Sequence, residues 1–84
     1  MANTQTIKVL YFAQMAELMG RREELQPLSQ AVTVADWLAQ LEAIYPQLSP
    51  AKRLKIAINQ DYANRSALIQ PGDEVAVFEP VTGG

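Results

Sequence analysis

The sequence predicts an α+β domain, a mixed sheet of four or five strands packed on one main helix. Three observations point to it: a strongly amphipathic helical stretch in mid-chain, short β-branched apolar runs on either side, and turn signals between those runs. A chain of 84 residues has room for one domain. Residues 1–84 are therefore read as one unit, ending in a flexible tail over 79–84.

The first run, Ile7 to Phe12, is apolar or aromatic on both parities apart from Lys8, which predicts a central strand buried on both faces. Ala13 to Met19 changes to strong helix formers, with Met15, Leu18 and Met19 on one stripe and Gly20 placed for a left-handed C-terminal cap. Arg21 to Leu28 reads as a weak strand, with Leu25 as its apolar residue and Pro27 arguing for an edge position. The pair Arg21-Arg22 beside Glu23-Glu24 reads as a self-compensating surface turn.

The main helix starts at Thr33, a good N-cap that Asp36 can answer in a capping box, with Val32 and Trp37 spaced as a hydrophobic staple. Val34, Trp37, Leu38, Leu41, Ile44 and Tyr45 recur at helical spacing until Pro46 ends the run, so Trp37 is read as core. Leu54, Ile56 and Ile58 alternate with Lys55, Ala57 and Asn59 as a half-buried strand, and Asn59-Gln60-Asp61 marks a turn. Pro71-Gly72-Asp73 predicts a type II turn, because proline presets the first central angle and glycine supplies the positive φ of the second. Glu74 to Phe78 forms the last strand. The order fits a β-grasp domain, the ubiquitin-like architecture.

Composition narrows the function. With no cysteine there is no disulfide, thiolate nucleophile or cysteine metal site, and with no histidine the commonest metal ligand and general base are gone. The net charge of −2 lacks the basic balance that phosphate neutralisation on nucleic acid requires. No membrane-spanning run and no secretory signal is present, so a cytoplasmic location is expected. A small domain this poor in reactive side chains suits a carrier or binding module better than a self-sufficient enzyme. The basic group Lys52-Arg53-Lys55 is read as the solvated side of a strand entry, and Asp36 and Glu42 receive no catalytic role.

Beyond the last strand come Glu79-Pro80-Val81-Thr82-Gly83-Gly84. Two closing glycines arise by chance in roughly one chain in 200 at an average glycine usage of about 7%. A chain end without Cβ atoms can thread a channel too narrow for side chains. Its carboxylate is a poor electrophile until activated, most simply as an acyl-adenylate formed with ATP on another protein. A sulfur nucleophile replacing AMP would leave a thiocarboxylate. If Val75 and Val77 face the helix, Glu74, Ala76 and Phe78 face outward, making Phe78 a candidate interface anchor, with Tyr62 of similar status.

Lys8-Val9-Leu10-Tyr11-Phe12-Ala13-Gln14 with Glu17-Leu18 and Gly20 resembles the opening of the molybdopterin synthase small-subunit family. Asn59-Gln60, Gly72-Asp73-Glu74-Val75-Ala76, Phe78 and Pro80-Val81-Thr82-Gly83-Gly84 are similar to that family's end. The resemblance implies a β-grasp sulfur carrier whose terminal glycine, here Gly84, is adenylated by an enzyme like ubiquitin E1, which uses the ATP, and then thiolated. It implies that Gly83, Thr82, Val81 and Pro80 form a tail entering the large subunit, and that Phe12, Tyr62 and Phe78 contribute apolar surface to that interface. The implied assembly is a heterotetramer, two of each subunit, in which the large subunit supplies the catalytic side chains and sulfur passes to cyclic pyranopterin monophosphate. No cofactor or metal is expected on this chain, and no nucleic-acid or membrane partner. Relatives commonly carry proline where this chain has Glu79.

Overall fold

In a computed structural model that describes residues 5–48 and 50–79, the chain runs β1 (Thr6–Tyr11), α1 (Gln14–Met19), β2 (Glu23–Pro27), β3 (Val32–Thr33), α2 (Val34–Ile44), β4 (Lys55–Ile58), β5 (Asp61–Ala63), β6 (Leu68–Ile69) and β7 (Glu74–Phe78). Two single-turn 3₁₀ segments, Pro46–Leu48 and Ala51–Arg53, lie between α2 and β4. The main sheet has five strands in the order β2-β1-β7-β4-β5, and β3 pairs with β6 in a separate two-stranded ribbon. First and last strands run parallel at the centre, Val9 beside Val75, while the other pairings are antiparallel. A parallel pair cannot be closed by a hairpin. Here the long crossover between its strands carries α2 across one face of the sheet. The result is the mixed-sheet, one-main-helix β-grasp arrangement that the sequence pattern predicts.

The core lies between that face and α2. Ile7, Val9, Tyr11, Ile56, Val75 and Val77 from the sheet meet Val34, Trp37, Leu38 and Leu41 from the helix, all buried. Thr33 caps α2 by accepting the Asp36 N–H at 3.1 Å, as its position before the helical period predicts. Trp37 is core, 3% exposed, and its indole N–H donates to Gln26 Oε1 at 3.1 Å. The Tyr45 N–H bonds back to the Leu41 carbonyl, and Pro46 opens the following 3₁₀ turn.

Four expectations are corrected. β1 is central, but only Ile7, Val9 and Tyr11 are buried; Lys8 is exposed, Leu10 is half-buried and Phe12, just past the strand, is 51% exposed, because helix covers only one side. Leu18 and Ile44 leave their predicted core stripes for solvent, at 44% and 62% exposure. In β2, Leu25 points outward while Glu24 and Gln26 turn toward α2. The turn after β4 is shorter than predicted: Asn59 and Gln60 both take positive φ, 52° and 76°, and Asp61 already pairs with Ile58. Positive φ at both central residues is the primed geometry that matches the strands' twist. The Pro71-Gly72 turn is as predicted, with Gly72 at φ 93° and Asp73 N–H closing on the Gln70 carbonyl at 3.0 Å.

Candidate partner-binding face and tail root

Strand parity builds the site. In β7, Val75 and Val77 point into the core, so Glu74, Ala76 and Phe78 must point the other way. The ladder sets Ala76 beside Leu10 of β1 and Ala57 of β4, and Ala57 beside Tyr62 of β5. Two alanines at the centre give a low floor between larger neighbours. Leu10, Phe12, Ala57, Tyr62, Ala76 and Phe78 accordingly line a shallow cavity of about 410 Å³, with Gln60 and Glu74 at its edge.

Phe12, Tyr62 and Phe78, picked from three distant stretches of sequence, thus meet on one open face. The Tyr62 and Phe78 rings lie 5.7 Å apart, tilted by 59°, in the range where edge-to-face aromatic pairs are favourable. Tyr62 is 81% exposed even so. Phe12 is set outward by the chain reversal at Ala13, which takes the rare backbone angles φ 51°, ψ −123° before α1 begins. An apolar, aromatic concavity of this kind can bind a complementary apolar surface. Charge sits around it: Lys8 and Glu23 approach to 3.7 Å, and Lys55 is register partner of Phe78.

Residues 80–84, carrying Pro80, Val81, Thr82, Gly83 and Gly84, lie outside the described residues. Their point of departure does not. The β4–β7 ladder ends at the Lys55–Phe78 pair, and Glu79 then meets Arg53, Nη2 to Oε2 3.1 Å. The other end of β7 is fixed by Asn59, whose Oδ1 accepts the Glu74 N–H and whose N–H donates to the Glu74 carbonyl, at 3.0 and 2.8 Å. Sequence reading missed Leu10, Ala57 and Ala76 as the floor. Their strand parity was available as a signal, but the pairing that assembles them was not.

The strongest electrostatic perturbation lies away from this face. Glu24, read as part of a surface turn, accepts hydrogen bonds from the hydroxyls of Tyr11 and Tyr45 and from Gln26 Nε2, and pairs with Arg21 at 3.1 Å. Burial first, then the hydrogen bond to Glu24 and its negative charge, holds the Tyr11 phenol well above the ordinary tyrosine range. Tyr45 is raised by the same causes. The cluster ties edge strand β2 to the helix layer. Among the described residues no group of three or more acidic side chains is assembled that could hold a metal, and no helix is long and apolar enough to cross a membrane.

The sequence model of the ThiS family matches residues 9–84. The chain is 42% identical to the molybdopterin synthase sulfur carrier subunit of Chlamydomonas reinhardtii, over 93% of this chain and 98% of that one. It is 33% identical to the human protein of the same name, over 93% of both. In three dimensions it is similar to SAMP1 from Haloferax volcanii, with a TM-score of 0.75 and 27% identity over 94% of this chain and 99% of that one. With the family model matching residues 9–84 and relatives 33% and 42% identical over 93% of the chain, on a fold shared with SAMP1, the chain belongs to the ThiS family.

Proposed function

We propose that this chain is the sulfur carrier subunit of molybdopterin synthase, with Gly84 as its reactive residue. The observation that carries the reading is the Gly83-Gly84 end, which follows the central strand β7 within six residues and is included in the family match. In this reading the Gly84 carboxylate attacks the α-phosphorus of ATP on an E1-like enzyme, pyrophosphate leaves, and an acyl-adenylate forms. Sulfide-level sulfur, as HS⁻, then attacks the acyl carbon and AMP leaves, giving a thiocarboxylate. The tail of Pro80, Val81, Thr82 and Gly83 enters the large subunit, where sulfur passes to cyclic pyranopterin monophosphate for its dithiolene. Phe12, Tyr62 and Phe78 supply the docking surface, the assembly holds two of each subunit, and the setting is cytoplasmic. The body's role is presentation, which agrees with a chain that has neither cysteine nor histidine.

Intact-mass analysis after incubation with the activating enzyme, ATP and a sulfur donor tests this. The expected product gains the mass of sulfur over oxygen on the C-terminal peptide, and deleting Gly84 abolishes it with folding unchanged. A truncated chain that still supports dithiolene formation would refute the proposal. The similarity to SAMP1, a small archaeal modifier protein, supports a different reading, conjugation to partner lysines. Isopeptide adducts in the same mass spectra would mark it.

A further inference from the structure

We propose that Arg53 is a positioning residue for the C-terminal tail: paired with Glu79, it fixes the point from which residues 80–84 depart. The inference rests on Gly84 being the reactive end. Backbone support for β7 runs out at Phe78, whose register partner Lys55 is the last in the ladder. The next tether along the chain is a side chain, Glu79 Oε2 to Arg53 Nη2 at 3.1 Å. Glu79 is the more sheltered partner, its side chain 32% exposed against 60% for Arg53.

Arg53 stands on a firm base. It ends the 3₁₀ turn Ala51–Arg53, flanked by Ala51 and Leu54 at 1% and 2% exposure. The Leu54 N–H bonds to the Ala51 carbonyl at 3.0 Å, and Arg65 Nη2 donates to the Leu54 carbonyl at 3.0 Å. The Ala51 N–H reaches Glu42 Oε1 at 3.4 Å. A long cation on a packed turn thus holds the carboxylate of the first residue past the ladder. Five extended residues reach at most about 18 Å, and a pivot at Glu79 instead of Phe78 leaves one residue fewer between the last fixed point and Gly84 and orders Glu79 before a partner arrives. That entropy is otherwise lost on entering a partner's channel. The benefit falls on binding of the carrier, because neither Arg53 nor Glu79 is part of the acyl group that reacts.

The test compares the wild type with Arg53→Glu, Glu79→Arg and the charge-swapped double variant in ATP–pyrophosphate exchange by the activating enzyme. Exposed ion pairs shift such equilibria by about 1.4- to 5-fold. Each single reversal is expected to raise the KM for the carrier by about that factor with kcat unchanged, and the swap to restore it. The difference should vanish near 1 M salt, where the screening length is about 3 Å. Amide relaxation at Gly83 and Gly84 of the free carrier should show faster motion in the single variants and wild-type values in the swap. An unchanged or lowered KM in the singles overturns the proposal. So does a swap that fails to rescue, which would mean that Arg53 or Glu79 touches the activating enzyme directly. Failure of the wild type itself to support exchange refutes the functional reading instead, and the relaxation measurement then decides the Arg53 proposal alone.

Discussion

Replacing Glu24 by leucine should destabilise the fold through the groups left behind. The carboxylate accepts from the Tyr11 hydroxyl, from the Tyr45 hydroxyl at 3.1 and 3.3 Å, and from Gln26 Nε2 at 3.3 Å. Tyr11 is 2% exposed, so water cannot replace the lost acceptor there. Hydrogen bonds to a charged group contribute about 1.5–3 kcal/mol, and an orphaned buried hydroxyl costs about 1–3 kcal/mol; these terms overlap, giving about 2–4 kcal/mol. The Arg21 contact, with the arginine side chain 49% exposed, adds little. Burying leucine offsets about 1 kcal/mol. The net cost is about 1–3 kcal/mol, to be set against a total of about 4–13 kcal/mol for a chain of this length. A domain of this size loses about 4–8 °C of Tm per kcal/mol. The decisive measurement is a double-mutant cycle in urea. Tyr11→Phe alone should cost about 0.5–1.5 kcal/mol, but in the leucine background it removes the orphan and should return about 1 kcal/mol. If the two changes add to within about 0.5 kcal/mol, the network is not a unit and the argument fails.

The same cluster predicts alkaline sensitivity. Folded Tyr11 and Tyr45 hold their protons above the ordinary range, so their contribution is intact below about pH 10 and declines above it, where only the unfolded chain releases them; urea midpoints should fall from there upward, and the Tyr11→Phe, Tyr45→Phe chain should lose part of that slope. Trp37→Ala should cost about 3–5 kcal/mol as a core deletion, read by thermal unfolding, with activity lost only in proportion to the unfolded fraction. Phe78→Ala should weaken large-subunit affinity by about 2 kcal/mol or more in calorimetry, accompanied by a smaller stability loss from the Tyr62 contact.

Strands and helices were legible where local chemistry decides them. Thr33 caps, Gly20 and Gly72 take positive φ, and Pro46 stops α2, because each depends on a few neighbouring backbone atoms. The short ribbon of β3 and β6 was not legible, since two-residue strands exist only by pairing across the chain, Val32 with Ile69 and Thr33 with Leu68. Glu24 was misread for the same reason. Its acceptors' worth comes from Tyr11 and Tyr45, respectively 13 and 21 residues away.

The candidate site divides along that line. Sequence alone determined the Gly83-Gly84 pair, the absence of cysteine and histidine from these 84 residues, and the alternation that turns Phe78 away from Val75 and Val77, since composition and strand period are properties of the chain itself. Tertiary structure decided that Phe12, Tyr62 and Phe78 share one face, that Leu10, Ala57 and Ala76 form its floor, and that Arg53 reaches Glu79 across 26 residues. Those juxtapositions follow from strand order and register, which are fixed by burying a whole sheet face at once. No local stretch of residues carries that information.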